Sequence, residues 1–297
     1  MTRIAVVGPG SVGTFFAAHL AAAGRDVVAC ARRPFDEYVV DSKTAPVTTP
    51  ARVLTDPISL DAPVDWVLVA VKAHQTAGAA PWLRRLCGEG TTVVAVQNGV
   101  EGEARLAPLV GSARVLAAVV YCGAELLSPG HIRHDSAGYL ILPDQDASHR
   151  LAEIFVGTGA QVRISAAFAD EAYRKLGINT VLNGITALTD RNISVLDQPD
   201  IREIGRGLLQ ECWAVGRAEG STLTDDDIDP LLDAFAGNPG VTSMLQDRRA
   251  GRPTEHDALY GAVIRIGRRH GIPTPLHETF AALLAAGDPV PDGTSPR

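Results

Sequence analysis

Three groups of residues in this chain of 297 have types and spacings that could do chemistry. The first is Gly8-Pro9-Gly10-Ser11-Val12-Gly13, where three glycines end an apolar run and lead into Thr14-Phe15-Phe16 and an alanine-rich stretch. Between a strand and a helix such glycines have separate tasks. Gly8 makes the tight turn, Gly10 lets the backbone approach a pyrophosphate, and Gly13 lets the helix lie close on the strand. The helix that follows offers unpaired N–H groups and a partial positive charge to phosphate. The second group closes later apolar runs: Arg32, Lys72 and Asn98. The third is Lys175, Asn179 and Asn183, which at ~100° per residue fall in a helical stripe about 80° wide. An ammonium beside two amides suits an oxygen that is gaining negative charge.

These residues need elements to place them. Ile4 to Val7 reads as the first strand, and Arg25 to Cys30 as a second parallel one, with Arg32 and Arg33 just past its end. A site for NAD usually carries Asp or Glu near that end to accept from the ribose hydroxyls. None stands there; the arginine fork suits a 2′-phosphate, which favours NADP(H). Asp65–Val71 and Thr91–Gln97 are near-continuous apolar runs, as expected of strands buried on both faces of a parallel sheet. In open parallel sheets the ligand crevice lies beyond the carboxyl ends of the strands. The glycine turn, Arg32, Lys72 and Asn98 converge there. A helix is expected after Gln75 through Leu86, and irregular structure or short edge strands over Pro34 to Asp61. Val115 to Tyr121 reads as a further strand. His131–His134 and Tyr139–Leu142 read as an antiparallel hairpin closing the sheet's edge. A covering helix over Ala147 to Thr158 and a last strand over Ala160 to Ser165 complete this half.

From Ala166 to Ala286 the pattern is helical. The expected fold is therefore α/β: an N-terminal Rossmann-type doubly wound sheet over residues 1–165, an all-helical domain over 166–286 and a flexible tail over 287–297. In the helical half, Ile178, Val181, Leu182, Ile185 and Leu188 form an apolar stripe beside Lys175, Asn179 and Asn183. One face should pack while its neighbour presents the polar groups, without the usual charged decoration of a solvated face. The stretch from Thr242 starts a helix, breaks near Gly251 and Pro253, and restarts; Ser243 could cap the first helix, and Thr254 or Glu255 could serve the start of the second. His74 and His256 read as packed or solvated.

The formal net charge of −7 argues against a nucleic-acid partner, which asks for a basic footprint. The four cysteines form no CxxC pair, so neither disulfides nor a metal site is expected. No apolar run reaches the ~20 residues that span a bilayer, and a strand beginning by Arg3 leaves no room for a leader, so a cytoplasmic protein without membrane contact is expected. The apolar helical half could support a homodimer.

In order along the chain, GPGSVG (8–13), VKAHQ (71–75), QNG (97–99), KLGINTVLNGITAL (175–188), TSMLQDRRAGRPTE (242–255) and HGIPTP (270–275) resemble the ketopantoate reductases, or 2-dehydropantoate 2-reductases. That resemblance covers most of the chain. It implies reduction of a small 2-keto acid, 2-dehydropantoate, by NADPH in pantothenate synthesis. It makes Lys175 the general acid and Glu255 the carboxylate that binds the substrate hydroxyl and helps hold cofactor. Asn98, Asn179, Asn183 and Ser243 would orient substrate or nicotinamide ribose. Gly8 to Gly13, Arg32, Lys72 and Gln75 would hold the NADP(H). One departure stands out: the run Thr189-Asp190-Arg191-Asn192 puts Asn192 out of register with a further substrate asparagine of the family. A reductase of another 2-keto acid or imine, and a non-catalytic NADP(H) sensor, are the alternatives.

Overall fold

The computed structural model describes residues 2–289, apart from the side chains at 135 and 137. In chain order its elements are β1 (Arg3–Val7), α1 (Ser11–Ala22), β2 (Asp26–Cys30), β3 (Glu37–Asp41), β4 (Val47–Pro50), β5 (Val53–Leu54) and β6 (Trp66–Val69). Then follow α2 (Ala80–Leu86), β7 (Thr92–Ala95), α3 (Gly102–Leu106), β8 (Arg114–Ala117), β9 (Val119–Ser128), β10 (His131–Pro143), α4 (Asp146–Phe155) and β11 (Gln161–Ser165). The rest is helical: α5 (Phe168–Thr189), α6 (Pro199–Ala218), α7 (Ile228–Asp233), α8 (Ser243–Arg249), α9 (Ala262–His270) and α10 (Pro275–Gly287). Contacts divide the chain into two compact units, Met1–Phe168 and Ala169–Arg297.

The first unit is built on a six-stranded parallel sheet of order β5-β2-β1-β6-β7-β8. Renumbered among themselves, these strands run 3-2-1-4-5-6, the doubly wound Rossmann order. Alternation along β1 explains why both faces are apolar. Ile4 and Val6 join a core formed with α1, and Ala5 and Val7 join one formed with α2 and α3. A second sheet, β11-β10-β3-β4 with β9 also on β10, covers the far side of α1. Being enclosed by two sheets accounts for a helix with Phe15, Phe16, Ala17, Ala18, His19 and Leu20 all buried.

This arrangement corrects the expected hairpin. His131–His134 and Tyr139–Leu142 belong to one long strand, β10, whose antiparallel partner is β9. The run Val115–Tyr121 divides at Ala118 between β8 of the parallel sheet and β9 of the second sheet. The misreading comes from a register irregularity between His134 and Gly138. It interrupts the alternation much as a turn would. Over Pro34–Asp61 the chain forms β3 and β4, which extend the second sheet, and β5, which edges the parallel one. The helix after Gln75 opens as a 3₁₀ turn over Ala73–Ala79 before α2.

In the second unit α5 is the central helix, with nearly every residue from Leu176 to Ala187 buried. Glycines permit the close approach. A Cβ at Gly177 would stand 2.8 Å from Leu209 of α6, and one at Gly216 of α6 would stand 2.7 Å from Tyr173 of α5. Ordered structure passes residue 286, where the helical domain is expected to give way to a tail. Helix α10 ends at Gly287, and Asp288 accepts hydrogen bonds from the Thr254 amide (3.0 Å) and hydroxyl (3.1 Å). Residues 290–297 of that expected tail lie outside the described residues.

Candidate active site

At the carboxyl edge of the parallel sheet the chemistry begins with backbone. Gly8 has φ +85°, and a Cβ on it would stand 2.9 Å from the Val71 nitrogen, so an L side chain there is strained and obstructed. Gly13 faces the Gly8 carbonyl and lies 3.2 Å from Ala70 Cβ, measured from an added Cβ; this closes helix on strand. Gly10, between them, has nothing within 4 Å of its missing Cβ. It is the N-cap of α1, and no side chain caps that end. Open space over a glycine, at an uncapped end of a twelve-residue helix, fits the pyrophosphate of a dinucleotide. Thr14 fixes the turn by donating its hydroxyl to the Pro9 carbonyl at 3.0 Å.

The side chains around this turn come from neighbouring strand ends. Arg32 follows β2 by two residues and is exposed, with no ion pair among the described residues. Lys72 begins the 3₁₀ turn after β6 and is half-buried; Gln75, whose amide donates to the Lys72 carbonyl at 2.8 Å, is exposed. Asn98 follows β7, and its carbonyl accepts from Arg105 at 3.2 Å. Gln97, a residue that sequence reasoning passes over, joins these loops. Its buried amide donates to the Val71 carbonyl (2.9 Å) and the Thr76 hydroxyl (2.8 Å), on either side of Lys72 and Gln75. A polar side chain inside an apolar strand end, at the head of the QNG run, is its signal in the sequence.

In the helical unit, Lys175, Asn179 and Asn183 lie one turn apart along α5. They are not on a solvated face: both asparagines are buried and Lys175 is half-buried. Burial lowers the Lys175 ammonium from its ordinary value near 10.5 to about 8, since an apolar setting disfavours the charged form. Asn183 has a defined orientation. Its Oδ1 accepts from the Met244 amide at 3.1 Å and from the Ser243 hydroxyl at 3.4 Å, so its Nδ2 is the donor left over. Ser243 is thereby brought to Asn183, although it does not cap α8. Thr242 does, accepting from the Leu245 amide at 3.3 Å while its hydroxyl meets that of Thr186 at 2.7 Å.

Glu255 is buried and stands just before a π-helical turn, Asp257–Gly261. Such turns are uncommon and gather at functional sites. The Asp288 carboxylate holds Thr254, and also His256 at 3.3 Å, so both neighbours of Glu255 are pinned. His256 is thus a structural group, and His74 is exposed. Farther along, Asn192 accepts from its neighbour Ser194 at 2.6 Å, and Arg249 holds Asp190 at 2.7 Å, with Asp190 at φ +52°.

Residues 4–146 match the family model described as ketopantoate reductase PanE/ApbA, and residues 167–288 match ketopantoate reductase PanE/ApbA C terminal. The 2-dehydropantoate 2-reductase of Mycobacterium tuberculosis is 38% identical over 293 residues, covering 98% of this chain and 99% of its own. That of Caulobacter vibrioides is 38% identical over 289 residues, covering 96% and 99%. The crystal structure of 2-dehydropantoate 2-reductase from Geobacter metallireducens GS-15 superposes with a TM-score of 0.89 at 29% identity, covering 96% of this chain and 99% of that one.

Proposed function

The chain belongs to the ketopantoate reductase family, and on that premise we propose that it reduces 2-dehydropantoate to pantoate with NADPH. The observation that carries this reading is Lys175, an ammonium drawn into α5 until it loses its proton near pH 8, with Asn179 and Asn183 one and two turns along. The glycine turn and the α1 N-terminus would hold the pyrophosphate, Arg32 and Lys72 the adenosine phosphate, and Asn98 the ribose. Bound NADPH supplies a hydride to the keto carbon.

The protein's own part is to bind, orient and protonate. Lys175 holds the keto oxygen by its N–H groups and gives it a proton as negative charge develops. A group that titrates near the working pH does this better than an ordinary lysine, because it is a stronger acid while still mostly charged. Asn183 Nδ2 offers a donor to the substrate carboxylate, with its Oδ1 held by the Ser243 hydroxyl and the Met244 amide at the N-terminus of α8. Glu255 accepts from the substrate hydroxyl, with Thr254 and His256 fixed by Asp288 on either side.

One observation favours a second reading, a reductase for another small 2-keto acid. The polar side chains just past α5 are held locally, Asn192 through its Oδ1 by Ser194 and Asp190 by Arg249, so the run that departs from the family's register has a fixed arrangement of its own. Purified protein mixed with NADPH and 2-dehydropantoate, beside NADH and a panel of 2-keto acids, decides between them. Fast loss of NADPH absorbance with 2-dehydropantoate is expected. Turnover of a different keto acid, with none of 2-dehydropantoate, overturns the first reading and supports the second.

A further inference from the structure

Against α5, at Thr180 and Gly184, sits a side chain from another part of the helical unit. The Tyr260 hydroxyl donates to the Thr180 carbonyl and lies against the Gly184 backbone. Those are the two ends of one i, i+4 rung of the helix. Only glycine allows it. A Cβ on residue 184 would fall on the hydroxyl, 2.7 Å from Tyr260 Cζ and 2.9 Å from Phe280 Cδ1. Tyr260 is fully buried, its ring stacked on Phe280 with centroids 5.7 Å apart and planes at 18°. A helix-interior glycine costs about 1 kcal/mol against alanine.

The place of this contact is what gives it meaning. Thr180 and Gly184 each directly follow an asparagine, Asn179 and Asn183. Tyr260 itself lies in the π-helical turn that starts beyond Glu255. One hydroxyl therefore joins the stretch of α5 that presents the two amides to the segment that presents the carboxylate. Packing alone would be served by phenylalanine, and the buried hydroxyl needs partners wherever it sits.

We infer that Tyr260 is a positioning residue: seated against the Thr180–Gly184 rung, it sets how Asn179 and Asn183 are presented relative to Lys175 and ties the Glu255 segment to that helix. This rests on the reductase reading for its kinetic consequence and on the hydroxyl's contacts alone for its structural one. Tyr260→Phe keeps the ring and removes the hydroxyl. Phe280→Leu is the control, since it weakens the same aromatic stack and leaves the hydroxyl in place.

The expected result for Tyr260→Phe is a higher KM for 2-dehydropantoate and a lower kcat, together about 10- to 100-fold in kcat/KM, the size of effect that a misplacement near 1 Å produces. The Kd for NADPH changes far less than kcat/KM, because the glycine turn, Arg32 and Lys72 belong to the other unit. Phe280→Leu should lower the melting temperature and leave kcat/KM at the wild-type level. Wild-type kcat/KM in Tyr260→Phe, or an equal loss in both variants, overturns the inference. If the wild-type protein turns over no 2-keto acid at all, the reductase reading falls instead, and amide hydrogen exchange decides. Faster exchange at Gly184 in Tyr260→Phe but not in Phe280→Leu supports the seated hydroxyl, and equal exchange in both overturns it.

Discussion

The two units build their chemistry from different materials. At the edge of the parallel sheet the site is chiefly backbone: a left-handed Gly8, an open Gly10, a Gly13 pressed against the Gly8 carbonyl and an uncapped helix end. In the helical unit the candidate residues are chiefly side chains, set on α5, at the start of α8 and on the segment before the π turn, positions 175 to 255 in the chain. A backbone site recognises what is common to dinucleotides. A side-chain site decides which bond is made, because only side chains carry a proton to give away.

Removing Lys175 should separate these contributions most widely. Lys175→Ala is expected to lower kcat/KM by about 10²- to 10⁴-fold, the usual share of a general acid, with NADPH binding followed by fluorescence at its wild-type strength. The wild-type profile has its own signature. With the ammonium titrating near pH 8, kcat/KM for reduction is level below that pH and falls as the acid form disappears above it. Loss of NADPH affinity in the variant would break the division of labour, and so would a wild-type profile flat through pH 9. A non-catalytic sensor instead predicts no turnover to lose and NADPH binding unchanged by the substitution.

The same contrast governs how much of the molecule is legible in its sequence. The glycine turn is legible because its constraint is local: three positions within six residues must lack a side chain, and the sequence displays that directly. Lys175, Asn179 and Asn183 are legible as a stripe because a helix fixes their spacing. Their burial is not, since it depends on α6, the π turn and α10 packing against α5. A glycine in mid-helix marks Gly184 as unusual, but nothing near it points to Tyr260, 76 positions on. Thr242 and Ser243 are both acceptable caps, and only the Thr186 hydroxyl, 56 positions away, chooses Thr242. Gly138 reads as a turn residue, yet it serves to clear the ring of Phe15 in mid-strand.

Buried histidines sharpen the contrast at a second level. His277, wholly buried in the helical unit, shares a hydrogen bond of 2.7 Å with Glu211; burial still holds it below its ordinary value, though the carboxylate opposes that shift. His19, on the α1 helix of the nucleotide unit, has no such carboxylate. It lies against Phe15, and burial together with the nearby His134 lowers it from 6.5 to about 4. Between those values the unfolded chain binds a proton that the folded chain does not, so acid favours unfolding. Stability from this group is complete above pH 6.5 and is lost as pH falls toward 4. The His19 share of that loss between pH 7 and pH 5 should be about 2 kcal/mol, and His19→Gln should remove it from the urea midpoints. An unchanged pH dependence in the variant would place the acid sensitivity elsewhere.

The smallest effect tests whether the nucleotide unit is backbone alone. A glycine turn holds any dinucleotide, so preference for a 2′-phosphate must come from a side chain, and Arg32 is the one that sequence and structure both leave available. It is exposed and makes no ion pair among the described residues. The acidic residue of β2, Asp26, stands at the start of the strand and is paired with Arg3 at 3.2 Å, so no carboxylate waits at the far end for an unphosphorylated ribose. Hydrogen bonds to a charged group contribute about 1.5–3 kcal/mol, and exposure takes this to the lower end, about tenfold in affinity. Arg32→Ala should therefore weaken NADPH about tenfold and leave NADH where it was, and raising the salt should narrow the wild-type preference, as screening of an exposed charge requires. Equal weakening of both cofactors would mean that Arg32 supports the turn itself, and selection between the cofactors would then have to be sought at Lys72.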